Sequence, residues 1–436
     1  MRTRREINSA EWFGEVPDGW NMVPLSRLFM SSKGMTVTRA DLVDEGAPVV
    51  NYAQVHSKLN NRFGIHEELI KHVPTGMVPK GLKYSEKGSF IFACTSEDLA
   101  GCGDCIYNDS ERPVNPGGDT LLLSPVDEVE NKYLAYLFST DMWRWQIRRD
   151  LIDVKVFHVN QGNLHETYVT VPPCDVQRRI VSYLDERCAA IDDDVKKRQK
   201  VIERLKEYKK SLIAHAVTKG LDPTAEMKDS DIKWVDQIPS NWQTSKLKAL
   251  FQITKRIAGV EGLTVLSITQ DGIRPKDFST GKGQFAETYS HYQLVHPGDF
   301  AMNHMDLLTG WVDISRYEGV TSPDYRVFSA RDLAVSNPSY YLYLFQMCYL
   351  NRVFFGSANG VADKGRMRLQ TNAFNNFVVP LPPLEEQKRI AAYLDERCVA
   401  IDEAISRQEQ LIEKLGEYRK SVIHHAVTGK IDCTEA

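Results

Sequence analysis

The sequence lacks several features that would place it in a familiar class of protein. It contains no run of 18 apolar residues, which argues against a membrane-spanning helix. The N-terminal stretch MRTRREINSAEWFGEV is basic but has no apolar core, so it does not predict a secretory signal. Only eight cysteines are scattered over 436 residues, which predicts reduced thiols in a cytoplasmic protein rather than a disulfide framework. The net charge of −4 does not favour a protein that coats nucleic acid by bulk charge.

Signatures of catalysis are also scarce. No G-x-x-x-x-G-K-[ST] segment occurs, so the sequence predicts no phosphate-binding loop of that kind. The segment Asn337–Tyr340 (NPSY) differs by one residue from the N-P-P-Y of amino-methyltransferases, but we interpret it as a helix start because no glycine-rich cofactor loop precedes it. Cys102 and Cys105, with Cys94 nearby, could suggest zinc, yet no second pair follows and structural thiols are favoured. We predict no catalytic residue, no metal site and no cofactor bound by this chain.

An internal repeat is the strongest feature that is present. The hexapeptide YLDERC occurs at Tyr183–Cys188 and again at Tyr393–Cys398. When residues 172–222 are aligned with residues 382–432, 27 of the 51 positions are identical. A second similarity appears when the N-terminal region is aligned with the middle of the chain at a shift of 222 residues. Six identical residues then coincide: Trp12, Pro17, Trp20, Leu25, Leu28 and Phe29 align with Trp234, Pro239, Trp242, Leu247, Leu250 and Phe251.

The length predicts two to four domains. Because the stretches between the repeated parts differ, we predict a variable domain at 1–171, a repeated helical segment at 172–222, a linker and second variable domain at 223–381, and a second repeated helical segment at 382–436.

Each repeated segment has the seven-residue periodicity of a coiled coil. Apolar or small residues recur at alternating steps of four and three, and two polar positions interrupt the pattern at the same places in both copies. The predicted core positions are Leu184, Cys188, Ile191, Val195, Arg198, Ile202, Leu205, Lys209, Leu212 and Ala216 in the first copy, and Leu394, Cys398, Ile401, Ile405, Gln408, Ile412, Leu415, Arg419, Val422 and Ala426 in the second. About 40 residues give a helix of roughly 60 Å. We predict that the two helices pack antiparallel; the alternative is two amphipathic helices, each packed on its own domain.

The variable stretches indicate an α+β fold. Strand-like runs such as SFIFACT and YRVFSA alternate with turn signals, and each stretch contains one aromatic helix candidate, KYLAYLFSTDMWRWQIRRD or SYYLYLFQMCYLNRVFF. A loop rich in side chains that contact DNA bases follows each aromatic helix. These candidate DNA-binding residues are Lys155, His158, Asn160, Gln161 and Asn163 in the first loop, and Lys364, Arg366, Arg368, Gln370 and Asn372 in the second. Either loop alone could be an ordinary solvated loop.

The whole pattern resembles the specificity (S) subunit of Type I restriction–modification enzymes. The segments PPCDVQRRIVSYLDERCAAID and PPLEEQKRIAAYLDERCVAID carry the resemblance, together with the linker DIKWVDQIPSNW. The resemblance implies two target recognition domains, each of which reads one half of a bipartite DNA site, and two helices that set the unread spacer. It also implies two modification (M) subunits, which carry S-adenosylmethionine and methylate adenine, and motor–nuclease restriction (R) subunits. The alternatives are a fused methyltransferase and a coiled-coil scaffold that binds only protein.

Overall fold

The computed structural model of the chain describes residue 13 and residues 16–149, 151, 156–278, 286–357 and 367–433. It has the predicted α+β fold. The chain forms two compact units: unit 1 comprises Met1–Lys197 with Gln410–Ala436, and unit 2 comprises Arg198–Glu409. No helix among the described residues is long and apolar enough to cross a membrane. The predicted segment boundaries at 171, 222 and 381 stay predictions.

Each repeated segment forms one long helix. Long helix 1 is Cys174–Lys219 and long helix 2 is Leu384–Val427. Both begin directly after a double proline, because proline is favoured before and in the first turn and cannot continue a helix upstream. Both stop at a glycine with left-handed backbone, Gly220 (φ +80°) and Gly429 (φ +70°).

The two stop glycines occupy equivalent close contacts. Gly220 lies against Trp242 and Pro239 in unit 2, and Gly429 lies against Pro17 and Trp20 in unit 1. A side chain at Gly429 would place its Cβ 2.3 Å from Pro17 Cγ, which is too close for any real contact. The similarity with the shift of 222 therefore marks a segment that packs on the end of a long helix in both units.

The long helices pair antiparallel within each unit, as predicted. In unit 1, Arg419 Nη1 lies 2.6 Å from Asp192 Oδ1. In unit 2, Lys209 Nζ lies 2.7 Å from Asp402. The apolar heptad core positions are buried or half-buried in both copies. Arg419 and Lys209, two of the polar interruptions, are thus accommodated by ion pairs at the edge of the helix pair rather than by unpaired burial.

The recognition domain of unit 1 is built on an antiparallel four-stranded sheet with the order Phe29–Lys33, Thr120–Pro125, Phe90–Ala93, Cys105–Tyr107. Smaller sheets surround it: Asn21–Pro24 with Tyr168–Val171, Thr95–Ser96 with Phe157–His158, and Lys71–Val73, Ala47–Val50 and Asn115–Pro116. The short helical elements of this domain are Leu25–Leu28, Arg39–Asp41, Tyr52–Val55, Glu67–Leu69, Thr75–Met77, Asn131–Phe138, Asp141–Arg148 and Gln161–His165.

The recognition domain of unit 2 repeats the four-stranded sheet, while its smaller sheets differ. Its four-stranded sheet has the order Phe251–Thr254, Arg326–Ala330, Phe300–Met302, Val312–Ile314. Two-stranded sheets pair Met227–Ile232 with Val235–Pro239, Gln243–Lys246 with Val378–Leu381, Leu266–Thr269 with Gly272–Pro275, and Gln293–Val295 with Gly319–Thr321. Its short helices are Leu247–Leu250, Pro338–Leu350, Val353–Ser357 and Thr371–Asn376. Two sequences with little similarity thus form the same sheet.

The two aromatic helix candidates have different outcomes. The first is not one helix: it divides into Asn131–Phe138 and Asp141–Arg148, because Thr140 caps the second helix and its Oγ1 accepts from the Trp143 backbone N–H at 3.3 Å. The second forms the single helix Pro338–Leu350. The NPSY segment is a helix start, as predicted, since the Asn337 side chain accepts from the Tyr340 backbone N–H at 3.0 Å.

Candidate nucleic-acid interface

The first predicted loop lies at the surface of unit 1, directly before the strand Tyr168–Val171. His158, Asn160 and Gln161 are exposed and Asn163 is half-buried. Asn160 Oδ1 accepts from the Asn163 backbone N–H at 3.0 Å, and Asn163 Oδ1 accepts from the Asn160 backbone N–H at 2.9 Å. This reciprocal capping box starts the helix Gln161–His165 and uses both amide oxygens. His158 and Gln161 take no part in this capping box and are exposed, and Lys155 lies outside the described residues.

The second predicted loop occupies the equivalent place in unit 2. Arg368, Gln370 and Asn372 are exposed, and Gln370 stands at the start of the helix Thr371–Asn376. Asn372 Oδ1 accepts from Asn376 Nδ2 at 2.8 Å, so its oxygen is used locally. Lys364 and Arg366 lie outside the described residues. Arg368, Gln370 and the Asn372 amide nitrogen carry hydrogen-bond donors at exposed positions.

A buried apolar residue anchors each loop to the central sheet in the same manner. The Val159 backbone N–H donates to the Cys94 carbonyl at 2.7 Å, and the Leu369 backbone N–H donates to the His304 carbonyl at 3.0 Å. Val159 and Leu369 are 210 residues apart, as are Cys94 and His304. In each loop, an exposed residue lies on either side of the buried anchor. The two loops are thus structurally equivalent but present different side chains.

Beside the first loop is an open cavity of about 740 Å³, and its lining includes three residues of a partly buried ionic cluster, His56, Arg62 and Asp104. Asp104 contacts His56 Nδ1 at 3.1 Å, Arg62 Nη2 at 2.9 Å and Arg144 Nη2 at 2.5 Å. Burial acts to raise the pKa of Asp104, but the hydrogen bond from His56 and the charges of Arg144 and Arg62 outweigh burial and lower it. The hydrogen bond to Asp104 raises the pKa of His56. The ion pairs of Asp104 fix the shape of the cavity wall beside the first loop.

Contacts between the aromatic helices and the long helices hold each recognition domain in place. Tyr136 Oη donates to Asp185 at 2.6 Å in unit 1, and Tyr343 Oη donates to Asp395 at 2.8 Å in unit 2. Asp185 also accepts from Lys132 Nζ at 2.7 Å. The aspartate of YLDERC therefore contacts the aromatic helix of its own unit. Aligning KYLAYLF with SYYLYLF, at a shift of 207, would have indicated these tyrosines.

The arrangement of the cysteines and the other potential metal ligands bears on whether the chain can hold a metal ion. Within the described ranges, no group of three or more His, Cys, Asp or Glu side chains is arranged to hold a metal ion. Cys102 and Cys105 are buried in the core of unit 1. Burial raises the pKa of Cys102 to about 11 and that of Cys105 to about 12. Both thiols therefore stay protonated near neutral pH, a state that is poor for metal binding and for nucleophilic attack.

Comparison with known proteins finds the same family domain in two separate stretches of the chain. The model of the family "Type I restriction modification DNA specificity domain" matches residues 17–204 and 239–414. The MjaVIII specificity subunit of a type I restriction enzyme from Methanocaldococcus jannaschii is 24% identical over 457 aligned positions, covering 99% of this chain and 97% of that protein.

Two solved structures share the fold. A chain reported under the description "Structural basis underlying complex assembly and conformational transition of the type I R-M system" has a TM-score of 0.69 at 16% identity, covering 96% of this chain and 100% of that one. The HsdS subunit from Thermoanaerobacter tengcongensis has a TM-score of 0.52 at 16% identity, covering 96% of this chain and 98% of that one.

Proposed function

The chain belongs to the Type I restriction–modification specificity family, and from this premise we propose how it divides its DNA site. It is the DNA sequence-specificity subunit of a Type I restriction–modification complex. Each recognition domain reads one half of a bipartite, asymmetric site. One observation supports this division. Each domain has a four-stranded sheet of the same order, and the two loops are anchored at equivalent positions of these sheets but expose different side chains. Base contacts specify sequence, so unlike side chains at equivalent positions suit unlike half-sites.

The test is an exchange of one domain. Replacing residues 1–171 with the corresponding domain of another specificity subunit should change one half of the methylated sequence and leave the other half unchanged. Methylome sequencing of cells that express the complex would measure this. An unchanged methylated sequence would favour a scaffold that binds only protein, which the family match does not favour.

We further propose that the chain itself is not catalytic and that S-adenosylmethionine is bound by partner methyltransferase subunits. Support comes from the protonated buried thiols and from the helix-capping role of the NPSY segment. Incubating the purified chain with DNA and labelled S-adenosylmethionine should transfer no methyl group until a methyltransferase subunit is added. Transfer by the chain alone would contradict this proposal and support a fused enzyme.

The partners would dock on apolar side chains that both long helices leave exposed. Val201 and Tyr208 lie seven residues apart on long helix 1 and are 41% and 55% exposed. Leu411 and Tyr418, at the same positions of the repeat, are 39% and 54% exposed. A seven-residue spacing places both members of a pair on one helix face. Because the face occurs twice, it suits two copies of one partner, the methyltransferase (M) subunit. Motor–nuclease (R) subunits would join this assembly for restriction.

This docking proposal predicts stoichiometry. Tyr208→Glu alone and Tyr418→Glu alone should each reduce the bound M subunits from two to one, and the double variant should bind none. Native mass spectrometry of the purified complexes measures the ratio. Glu203→Gln, on an exposed position of long helix 1, is the control. Two M subunits bound to the double variant would rule out this face.

A further inference from the structure

A buried arginine supports the second loop from below. Arg326 begins the strand Arg326–Ala330 and is only 3% exposed. Its Nη2 donates to the Leu369 carbonyl at 3.0 Å and approaches Thr371 Oγ1 at 3.5 Å. Its guanidinium lies 4.6 Å from the centre of the Phe374 ring. Arg326 therefore holds the two residues that flank Gln370 and the first helical turn after it, so it fixes the backbone from which Arg368 and Gln370 project.

Among the described residues, no acidic side chain balances the charge of Arg326. Across the part of the chain that the structure describes, no Asp or Glu forms an ion pair or hydrogen bond with Arg326, and its Nη1 has no hydrogen-bond partner. Burying a guanidinium without a counter-charge is costly, and stacking on one aromatic ring offsets only part of that cost. Burial, with the positive charge of Arg368 adding to it, lowers the pKa of Arg326 to about 10, so the group still carries its charge near neutral pH.

A second buried polar side chain lies beside Arg326. His304 is 8% exposed and its Nδ1 has no hydrogen-bond partner. Burial, then the charges of Arg326 and Arg368, lower the pKa of His304 to about 3. The ring is therefore neutral near pH 7, and two positive charges act on it in addition to burial. Two buried side chains with unpartnered nitrogens thus lie beneath an exposed arginine.

The fold does not require this buried polar pair, as the first recognition domain shows. Arg326 is paired with Met302 across the sheet, and the equivalent position opposite Phe92 in unit 1 is Leu121, which is 1% exposed. The position of His304 is taken by Cys94 in unit 1. The same topology is thus built with a leucine and a cysteine, so the cost of burying Arg326 points to a role outside folding.

We propose that Arg326, His304 and Arg368 form an acceptor-binding site of the second recognition domain. This site binds an electron-rich hydrogen-bond acceptor of DNA. Arg368 is the contacting residue, and Arg326 is a positioning residue that fixes the loop and supplies uncompensated positive charge. Two DNA groups share this chemistry: the O6/N7 edge of guanine and a backbone phosphate oxygen. The proposal rests on the proposed function, because it assumes that the second domain binds DNA.

The first test is Arg368→Ala in the full chain, assembled with its methyltransferase subunits. A guanine contact predicts that preference at one base pair of the second half-site relaxes by roughly 10- to 100-fold, with the first half-site unchanged. A phosphate contact predicts a uniform loss of affinity for all sequences, with the slope of log affinity against log salt reduced by about one. Either result supports the site and assigns its ligand. Unchanged affinity, salt slope and sequence preference would overturn it.

The second test separates positioning from folding. Arg326→Leu installs the residue that unit 1 uses, so the domain should unfold no earlier on heating than the unaltered chain. Its effect on the second half-site should nevertheless match that of Arg368→Ala in position and direction. Full recognition of the second half-site by Arg326→Leu would overturn the positioning role. Reduced thermal stability with unchanged half-site preference, affinity and salt slope would indicate a structural residue and would also overturn it.

A third arm distinguishes failure of this inference from failure of the proposed function. Replacing residues 223–381 with another recognition domain should change the second half-site. If that exchange changes the methylated sequence but the arginine variants change neither sequence preference, affinity nor salt slope, only the acceptor-binding site is wrong. If the exchange itself changes nothing, the second domain does not specify DNA sequence and both proposals fail. His158→Ala, at the position of the first loop that corresponds to Arg368, is the matched variant and should affect the first half-site alone.

Discussion

Arg198 Nη1 donates to Gln408 Oε1 at 3.0 Å, and these two residues occupy the same position of the two repeats. The ion pairs Asp192–Arg419 and Lys209–Asp402 show that the two helices run antiparallel, and in an antiparallel pair equivalent residues of the two repeats meet at one point only. The contact therefore marks the centre of the antiparallel pairing. It also explains why the heptad pattern has a polar interruption here: a hydrogen-bonded polar pair at a core position favours one alignment of the helices over others.

Replacing this polar pair with leucine should increase stability but weaken the choice of alignment. We expect Arg198→Leu combined with Gln408→Leu to raise the free energy of unfolding by about 1–4 kcal/mol, because a half-buried polar pair is exchanged for apolar packing. Urea unfolding measures this change. Size-exclusion chromatography with light scattering should show additional oligomers, since the pairing is no longer restricted. A destabilised, strictly monomeric double variant would contradict this explanation.

Two equivalent leucines should be large and local contributors to stability. Leu184 and Leu394 are both fully buried, each in the core of a different unit. Truncating either to alanine should cost about 2–5 kcal/mol, because a cavity remains. Hydrogen exchange should show Leu184→Ala weakening protection in unit 1 and Leu394→Ala in unit 2. Val399→Ala, at a position that is 58% exposed, is the control and should change stability by under about 0.5 kcal/mol. Equal losses of stability in all three variants would show that these heptad core positions contribute no more to stability than an exposed position does.

The two units should respond in opposite ways to pH. The pKa of His304 is lowered to about 3 from an ordinary 6.5, so the unfolded state binds the extra proton as the pH falls below 6.5. Unit 2 should therefore lose stability between pH 6.5 and pH 3, by about 1.4 kcal/mol per pH unit at most. The pKa of His56 is raised by Asp104, so its stabilisation of unit 1 is complete below pH 6.5 and is lost as the pH rises through the raised pKa.

Hydrogen exchange followed at several pH values can separate the two effects. His304→Leu should remove the acid sensitivity of unit 2, and His56→Gln should remove the alkaline loss in unit 1. If His304→Leu leaves the acid response of unit 2 unaltered, another group dominates the titration of that unit.

Shortening both long helices by one heptad should shorten the unread DNA spacer. Residues 197–203 and 407–413 are equivalent and lie between the ion pairs Asp192–Arg419 and Lys209–Asp402, so both ion pairs remain after deletion. Seven residues correspond to about 10 Å of helix, or roughly three base pairs. Methylome sequencing should report unchanged half-sites separated by a shorter spacer. An unaltered spacer would mean that the helices do not set it.

The sequence predicted the repeated elements well because their periodicity is local. The heptad positions from Leu184 and Leu394 identified both long helices and their burial. The division of the first aromatic helix at Thr140 was missed, since the apolar pattern continues across the capping residue. The capping role of Asn160 and Asn163 was detectable in principle, because two such side chains three residues apart form a reciprocal cap.

Other features depend on contacts between residues far apart in the sequence. The shared order of the four-stranded sheets could not be predicted, because pairing between strands far apart in the chain is set by tertiary burial rather than by local preference. The role of Arg326 was missed for a related reason. An arginine in a strand is normally exposed, and nothing in its neighbouring residues indicates that it is buried beneath Leu369 and Phe374.

The glutamines at the start of the long helices define what a foreign recognition domain needs in order to be accepted. Gln177 Oε1 accepts from the Glu130 backbone N–H, and Gln387 Oε1 accepts from the Asn337 backbone N–H, both at 2.8 Å. Every residue except proline has a backbone N–H, so this hydrogen bond does not depend on which side chain the attached domain carries at that position. A foreign recognition domain also needs a tyrosine like Tyr133 or Tyr340, whose hydroxyl donates to a backbone carbonyl in the last turn of a long helix. Gene segments that encode recognition domains could therefore be exchanged between the two positions, and new DNA specificities would arise by recombination rather than by gradual substitution.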